Sequence, residues 1–310
     1  MLRMFRLRFF GDFRNWVPFL LVAGFFATAV LAPIFSPPFD PAVPALNQVV
    51  GTDETPKPPG KDYGLGTFPG GYDVFHSLIW GTRSALVFGL TVALSTSILG
   101  VLIGAAANMI GGIFARIGMR VTDAFLAFPS LAGILLFIQV LKPVTAGSIE
   151  LPLNEFQQLM VDWHVEPVVL GLILFSWMPY SRLTFASIEQ QKNQAYVEAA
   201  RVVGLSNWQV FYRHILPNIS TPIVVLVTRD IGGMVVLEAA LVFIGISGIT
   251  EWGVMIAASR NWIVGPSLGF TYWWTFVPVT LVLILFSVSW QLLGQRINEA
   301  LNPRSFSYLK

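Results

Sequence analysis

The chain has 310 residues, of which 55% are hydrophobic and only 12% are charged, and its mean hydropathy is +0.67. This composition excludes an ordinary soluble domain, and a net charge of +2 is too small to indicate binding to nucleic acid. Without cysteine, the sequence offers neither a disulfide framework nor a thiolate metal site. The apolar runs are continuous rather than alternating, so we predict an all-α protein that crosses a membrane several times.

Six apolar runs are long enough to cross a bilayer as helices, which takes about 20 residues each. They lie at about 16–35, 85–110, 121–141, 168–188, 219–246 and 273–293. A cleaved signal peptide is an alternative for the first run, but its length and Pro33 favour an uncleaved span.

The basic residues fall on one side of these six spans, and cytoplasmic flanks are enriched in Lys and Arg. We therefore predict a cytoplasmic N-terminus (1–15), a cytoplasmic connection (189–218) and a cytoplasmic tail (294–310). The basic residues used are Arg3, Arg6, Arg8, Arg14, Arg116, Arg120, Arg182, Lys192, Arg201, Arg213, Arg296, Arg304 and Lys310.

The connection 36–84 is rich in proline and glycine, and we predict it to be an extracytoplasmic loop before the core membrane domain at 85–293. Its KPPGK run at 57–61 lacks the spacing of a phosphate-binding loop, and no such motif occurs elsewhere. We therefore expect this chain to bind no ATP or other cofactor and to be non-catalytic. His76 and His164 are predicted outside the membrane and His214 inside, so no three-histidine metal site is expected.

Two features of the spans concern helix packing. Small residues at helical spacing in the second span, Thr96, Gly100 and Gly104, would let it approach another helix closely. That helix could belong to this chain or to a partner, and the sequence leaves both open. Pro129 predicts a kink or local unwinding in the third span.

The polar segment between the fourth and fifth spans reads EAARVVGLSNWQVFYRHILP from Glu198 to Pro217. It predicts two short helices joined by a bend. Gly204 supplies a left-handed stop for the first helix, and Ser206 with Gln209 forms a capping box that starts the second. Arg213 and His214 would then lie at the negative end of the second helix, which Pro217 would terminate.

This segment resembles the cytoplasmic EAA loop of ABC-importer permeases in its Glu-Ala-Ala, its glycine and its Leu-Pro ending. The run from Arg213 to Pro217 is similar to the dipeptide, oligopeptide and nickel subfamily, in particular its second permease subunit. The outer stretch 65–83, the DAFLAFP run at 123–129 and the GQRINEALNPR tail at 294–304 resemble the same subfamily.

The resemblance implies a type I ABC importer permease fold and half of a translocation pathway for peptides or similar small solutes. It implies a second, non-identical permease, two ATP-binding subunits that hold ATP and Mg, an external solute-binding protein, and a prokaryotic inner membrane. It leaves the solute unidentified. The residues expected to couple to the ATPases are Glu198, Ala199, Ala200, Gly204, Ser206, Trp208, Phe211, Arg213, His214, Leu216 and Pro217.

Three charged residues, Arg229, Asp230 and Glu238, lie within the fifth predicted span. Charges at bilayer depth are functional candidates by default, so we predict that they line the translocation pathway. A buried structural ion pair is the alternative. Adjacent helix positions point about 100° apart, so Arg229 and Asp230 are not expected to face each other. An ion-gradient-driven carrier that uses these three charges, and a non-transporting membrane scaffold, are rival functions.

Overall fold

A computed structural model describes residues 13–40, 44–50, 55–145, 166–246, 248–264 and 269–301. The described part is mostly helical. Its elements are a 3₁₀ turn (Phe13–Asn15), α1 (Trp16–Phe35), β1 (Thr67–Phe68), β2 (Tyr72–Asp73), α2 (Val74–Ile110), α3 (Gly112–Ala127), α4 (Ser130–Thr145), α5 (Pro167–Ser176), α6 (Met178–Lys192), α7 (Ala195–Val202), α8 (Asn207–Val210), a π-helical turn (Phe211–Ile215), α9 (Leu216–Phe243), α10 (Glu251–Ser259), a second 3₁₀ turn (Arg260–Trp262) and α11 (Trp273–Leu301). His164, which was predicted to lie outside the membrane, is not among the described residues.

The all-helical membrane fold is confirmed. Among the described residues, four stretches are long and apolar enough to cross a membrane: α1, α2, α5 together with α6, and α11. Helices α3 and α4 would add a fifth if they are counted as one bent span. The helix at the fifth predicted span, α9, has 28 residues but does not meet that test, and it carries the three charged residues.

The third predicted span is not one straight helix. Helices α3 and α4 meet at an angle of 89°. Phe128, between them, is extended with φ −80° and ψ 136°, because the ring of Pro129 disfavours a helical backbone at the preceding residue. The predicted break at Pro129 is therefore confirmed, and it is larger than a kink.

The helix that contains the second predicted span is longer than that span. Helix α2 starts at Val74 rather than near residue 85, so the last part of the predicted outer loop is helical. Asp73 supplies the start, since its Oδ1 accepts the backbone N–H groups of Phe75 and His76 at 2.8 and 3.3 Å. This cap satisfies donors that the first helical turn leaves unpaired.

The chain divides into two compact units, one formed by residues 1–91 and 228–310 and the other by residues 92–227. In the first, α1 and α10 pack against α11. The buried indole of Trp252 meets the rings of Phe25 and Phe286 edge-on, with centroids 6.4 and 5.5 Å away. Its nitrogen donates to the Leu78 carbonyl at 3.0 Å. This aromatic cluster is part of the buried interior of the first unit.

In the second unit, α4 packs against α5 and α3 packs against α6. Gly100 and Gly104 of α2 lie against backbone near the start of α6. A Cβ added at Gly100 would lie 2.3 Å from the carbonyl oxygen of Trp177, and one at Gly104 would lie 2.4 Å from that of Ser181. Gly100 and Gly104 therefore serve close packing within this chain, which was one of the two alternatives.

Candidate functional site

The first helix of the polar segment ends as the sequence predicts. Helix α7 is followed by Gly204 with φ +91°. Gly204 N–H donates to the Arg201 carbonyl at 2.9 Å, and Leu205 N–H donates to the Ala200 carbonyl at 3.2 Å. This pair of bonds is a Schellman motif, which requires a left-handed residue that glycine adopts without strain.

The second helix begins at the predicted capping box. Ser206 N–H donates to Gln209 Oε1 at 2.9 Å, and Gln209 N–H donates to Ser206 Oγ at 3.3 Å. The reciprocal bonds satisfy two backbone donors that the helix cannot satisfy itself. The bend between α7 and α8 is thus fixed on both sides by hydrogen bonds among residues close in sequence.

The predicted end of the second helix is wrong. Helix α8 runs through the π-helical turn directly into α9, so Pro217 lies in the first turn of α9 and terminates nothing. In the π turn, Leu216 N–H donates to the carbonyl of Phe211, five residues back. This wider turn gives the Pro217 ring room that an α-helical turn would deny it. Arg213 and His214 therefore lie within a continuous helix, not at its negative end.

One face of the segment is part of the core of the second unit. Val197 and Ala200 of α7 and Val210, Phe211 and Ile215 around the π turn cluster with Ala105 of α2, Ile188 of α6 and Ile219 of α9. Phe211 is only 7% exposed. The end of α2 is also tied to α6, since Asn108 Nδ2 donates to Glu189 Oε1 at 2.7 Å and Lys192 Nζ donates to the Asn108 carbonyl at 3.1 Å. The segment is therefore packed against α2, α6 and the start of α9.

The opposite face is apolar and exposed. Trp208 and Tyr212 are 59% and 58% exposed, and their rings stack at 5.4 Å with an interplanar angle of 17°. Val202 and Val203, at the bend, are also exposed. Grouped exposed apolar side chains of this kind mark surfaces for a partner. We call Val202, Val203, Trp208 and Tyr212 the exposed apolar face.

The predicted coupling residues divide between these two faces. Ala200 and Phe211 are buried, Leu216 and His214 are half-buried, and Glu198, Ala199, Gly204, Ser206, Trp208, Arg213 and Pro217 are exposed. Tyr212, Val202 and Val203 were not predicted. The spacing of four between Trp208 and Tyr212 was the available signal, because residues at that spacing share one face of a helix.

Glu238 has a structural environment. It is 0% exposed, and its Oε1 accepts the N–H groups of Ile249 and Thr250 at 2.9 and 3.1 Å. Its Oε2 accepts the Thr250 hydroxyl at 2.6 Å. Thr250 Oγ1 in turn accepts the N–H of Gly253 at 3.1 Å and caps α10. The Glu238 carboxyl therefore fixes the loop that leads from α9 to α10.

Glu251, the first residue of α10, lies beside this anchor. Burial raises the pKa of the Glu251 carboxyl above its ordinary value, and the Glu238 carboxyl adds to the rise. The hydrogen bond from the Ser84 hydroxyl to Glu251 opposes the rise only in part.

The prediction that Arg229 and Asp230 do not face each other is wrong. Arg229 Nε and Nη2 both lie 3.2 Å from Asp230 Oδ1. The long arginine side chain reaches around the helix to its neighbour, although the two Cα–Cβ bonds diverge. The Arg229 side chain is 60% exposed and that of Asp230 is 15% exposed. The structure thus separates an exposed Arg229 from a largely covered Asp230 and a fully buried Glu238.

Sequence comparison identifies the family. Residues 96–304, more than half of the chain, match the family described as "Binding-protein-dependent transport system inner membrane component". The chain belongs to this family. It is thus a membrane permease component of an ATP-driven importer that depends on a binding protein, and the family's permeases are non-catalytic subunits that work with other subunits.

Curated relatives cover most of the chain. A glutathione transport system permease protein GsiD of Pectobacterium atrosepticum is 29% identical over 79% of this chain and 74% of its own length. A probable D,D-dipeptide transport system permease protein DdpC of Escherichia coli is 27% identical over 80% and 76%. An oligopeptide transport system permease protein OppC of Bacillus subtilis is 26% identical over 89% and 82%.

A solved structure shares the fold. A chain of the MetNI methionine ABC transporter, in an inward-facing conformation, superposes with a TM-score of 0.54 at 16% identity. The match covers 73% of this chain and 96% of that chain. The predicted type I ABC importer permease fold is confirmed. These comparisons support the ATP-driven importer and not the ion-driven carrier.

Proposed function

We propose that this chain is one of two non-identical permease subunits of a prokaryotic inner-membrane importer, and that peptides or peptide-like solutes pass through the complex. The relatives support this solute class, since their names specify glutathione, D,D-dipeptide and oligopeptide transport. Their bacterial sources support the location. We expect the complex to contain two ATP-binding subunits, which hold ATP and Mg, and an extracytoplasmic solute-binding protein.

The observation that carries the proposal is the two-faced geometry of the segment 189–218. Its bend is fixed by the Schellman motif and the capping box. Its exposed apolar face points away from the core cluster beneath it. A rigid element that is apolar on both faces suits a mechanical connection between a soluble partner and membrane helices. We propose that the ATP-binding subunit contacts the exposed apolar face.

The buried face explains how movement reaches the membrane. When ATP binding closes the ATPase pair, the exposed apolar face moves with it. The packing of Phe211 and Ile215 against Ile188 of α6 and Ile219 of α9 passes that displacement to both helices. Since α8, the π turn and α9 are continuous in the chain, the displacement has no flexible linker in which to dissipate. Helix α9 then opens or closes the pathway.

We further propose that Arg229 and Asp230 line the pathway and that Glu238 does not. An exposed charge is strongly unfavourable in lipid, so the Arg229 surface must face water or protein. Glu238, by contrast, is buried and bonded to the loop before α10. This assignment keeps two of the three predicted pathway residues and gives Glu238 a structural role.

The test is to purify the tagged chain from its native membrane in mild detergent and identify the co-purifying proteins by mass spectrometry. We expect two ATP-binding subunits and a second permease, and after reconstitution with the binding protein we expect peptide uptake that requires ATP hydrolysis. A stable complex that lacks ATP-binding subunits would refute the coupling role. An ATP-driven complex that takes up no peptide would refute the solute class only.

A further inference from the structure

The Arg229 side chain is more exposed than an arginine in a membrane helix should be if it served packing alone. It is 60% exposed, whereas its partner Asp230 is 15% exposed. Glu238, about two and a half turns further along α9, is completely buried, and both of its carboxyl oxygens accept hydrogen bonds from the loop before α10. Arg229 therefore presents a cation on the surface of α9 where the other charges of that helix are covered.

The guanidinium group has two edges that can each hold a carboxylate. Its Nε–Nη2 edge is directed at one oxygen of Asp230, with both nitrogens 3.2 Å from Oδ1. On the second edge, which Nη1 and Nη2 form, Nη1 makes no hydrogen bond within the described residues, and Nη2 uses one of its two N–H groups on Asp230. This second edge has two parallel N–H groups, which match the two oxygens of a carboxylate in a bidentate pair.

The surface of α9 next to Arg229 leaves room for a ligand. Gly233 is one turn further along the same face, is exposed, and has no atom within 4 Å of where its Cβ would be. Gly232 differs, since its Cβ would lie 2.7 Å from the backbone of Ser287 on α11. The helix thus packs on its Gly232 side, while its Arg229–Gly233 side is open.

We propose that the free edge of Arg229 binds the carboxylate of the transported solute, which lies in the space above Gly233. This rests on the proposed function, because it assumes that the α9 surface lines the pathway. A small solute with a free carboxylate fits better than a hydrocarbon chain, since apolar contact would desolvate the free N–H groups of the guanidinium without giving them an acceptor. Asp230 holds the guanidinium in place and lowers the cost of keeping the cation inside the membrane.

The experiment compares free-acid peptides with their C-terminal amides. The whole complex, with its binding protein, is reconstituted in liposomes, and uptake of short alanine-, leucine- and lysine-containing peptides is followed by mass spectrometry. Arg229→Gln removes the charge, and Arg229→Lys keeps the charge but cannot bind a carboxylate in the bidentate geometry of a guanidinium. The matched control is Arg116→Gln, which removes an exposed arginine from α3. The binding protein is the same throughout, so differences between variants report on the permease.

We expect Arg229→Gln to lower the uptake of free acids about tenfold, the usual scale for losing one charge-assisted pair. Amide uptake should stay near the wild-type rate, Arg229→Lys should recover part of the loss, and Arg116→Gln should behave as wild type. Unchanged acid uptake in Arg229→Gln overturns the proposal. Equal losses for acids and amides, or loss of assembled complex, also overturn it and indicate a structural pair or a contact with the second permease. A wild-type complex that imports no peptide refutes the proposed solute class instead.

Discussion

Replacing Gly204 tests whether the bend between α7 and α8 transmits force. Gly204 has φ +91°, and no atom lies within 4 Å of the position where a Cβ would be added. A side chain there meets no steric clash, so its cost is the backbone penalty alone. That penalty is about 1–2 kcal/mol for an ordinary residue, equivalent to a roughly 5- to 30-fold shift away from the bent conformation. A β-branched residue should cost more.

The assay measures ATP hydrolysis and solute uptake separately in the reconstituted complex. We expect the ratio of solute imported to ATP hydrolysed to fall in the order wild type, Gly204→Asn, Gly204→Ala, Gly204→Val, because asparagine tolerates the left-handed conformation best. Gly24→Ala and Gly24→Val in α1 are the matched controls, since Gly24 has equally empty surroundings but no positive φ. Both should couple as wild type does.

Two results would refute this reasoning. If Gly204→Val imports as much solute per ATP as wild type, the bend need not be rigid. If Gly204→Asn loses coupling as completely as Gly204→Val, the loss comes from some property of glycine other than its left-handed backbone. In either case the assembled complex must first be shown intact by size-exclusion chromatography.

Three further predictions concern single side chains. Trp208→Ala should weaken binding of the ATP-binding subunit about tenfold or more without lowering the melting temperature, because Trp208 is exposed. Phe211→Ala should lower the melting temperature, because Phe211 is buried. The reverse pattern would contradict the assignment of the two faces. Glu238→Gln should cost roughly 1.5–3 kcal/mol of stability, because it replaces Oε2, the acceptor of the Thr250 hydroxyl, with an amide nitrogen that cannot accept. Uptake per folded complex should not change, and lost uptake at unchanged stability would return Glu238 to the pathway. The raised pKa of Glu251 means that its carboxyl holds a proton more tightly in the folded state than in the unfolded state, so stability should fall as pH rises above the ordinary glutamate pKa of 4.5. In thermal melts, the melting temperature of Glu251→Gln should fall less with rising pH than that of the wild type. Identical pH profiles for the two proteins would contradict this role of Glu251.

Features whose signals are local were predictable from the sequence. The Gly204 stop and the Ser206–Gln209 capping box depend on hydrogen bonds between residues at most five apart. Pro129 acts on the residue before it, and Phe128 is extended as a result. Long apolar runs likewise indicate membrane helices without any knowledge of what they pack against.

The capacity of Pro217 to lie within a continuous helix was not predictable. The helix-breaking effect of proline is also local, but here the outcome depended on a wider π-helical turn at residues 211–215. No pattern in those five residues indicates such a turn. The prediction that Arg229 and Asp230 would not face each other was wrong, because the directions of the Cα–Cβ bonds do not account for the reach of a long side chain.

The sequence by itself determined that the chain spans a membrane, that a bent polar segment interrupts its spans, and that three charges occur in one helix. Only the tertiary structure decided what surrounds each charge and each of these small residues. Glu238 is buried and hydrogen-bonded because a loop 11 or 12 residues away folds back onto it, and Gly104 has no room for a side chain because the backbone of Ser181, far along the chain, lies against it. Burial depends on which distant segments meet, and no local pattern contains that information.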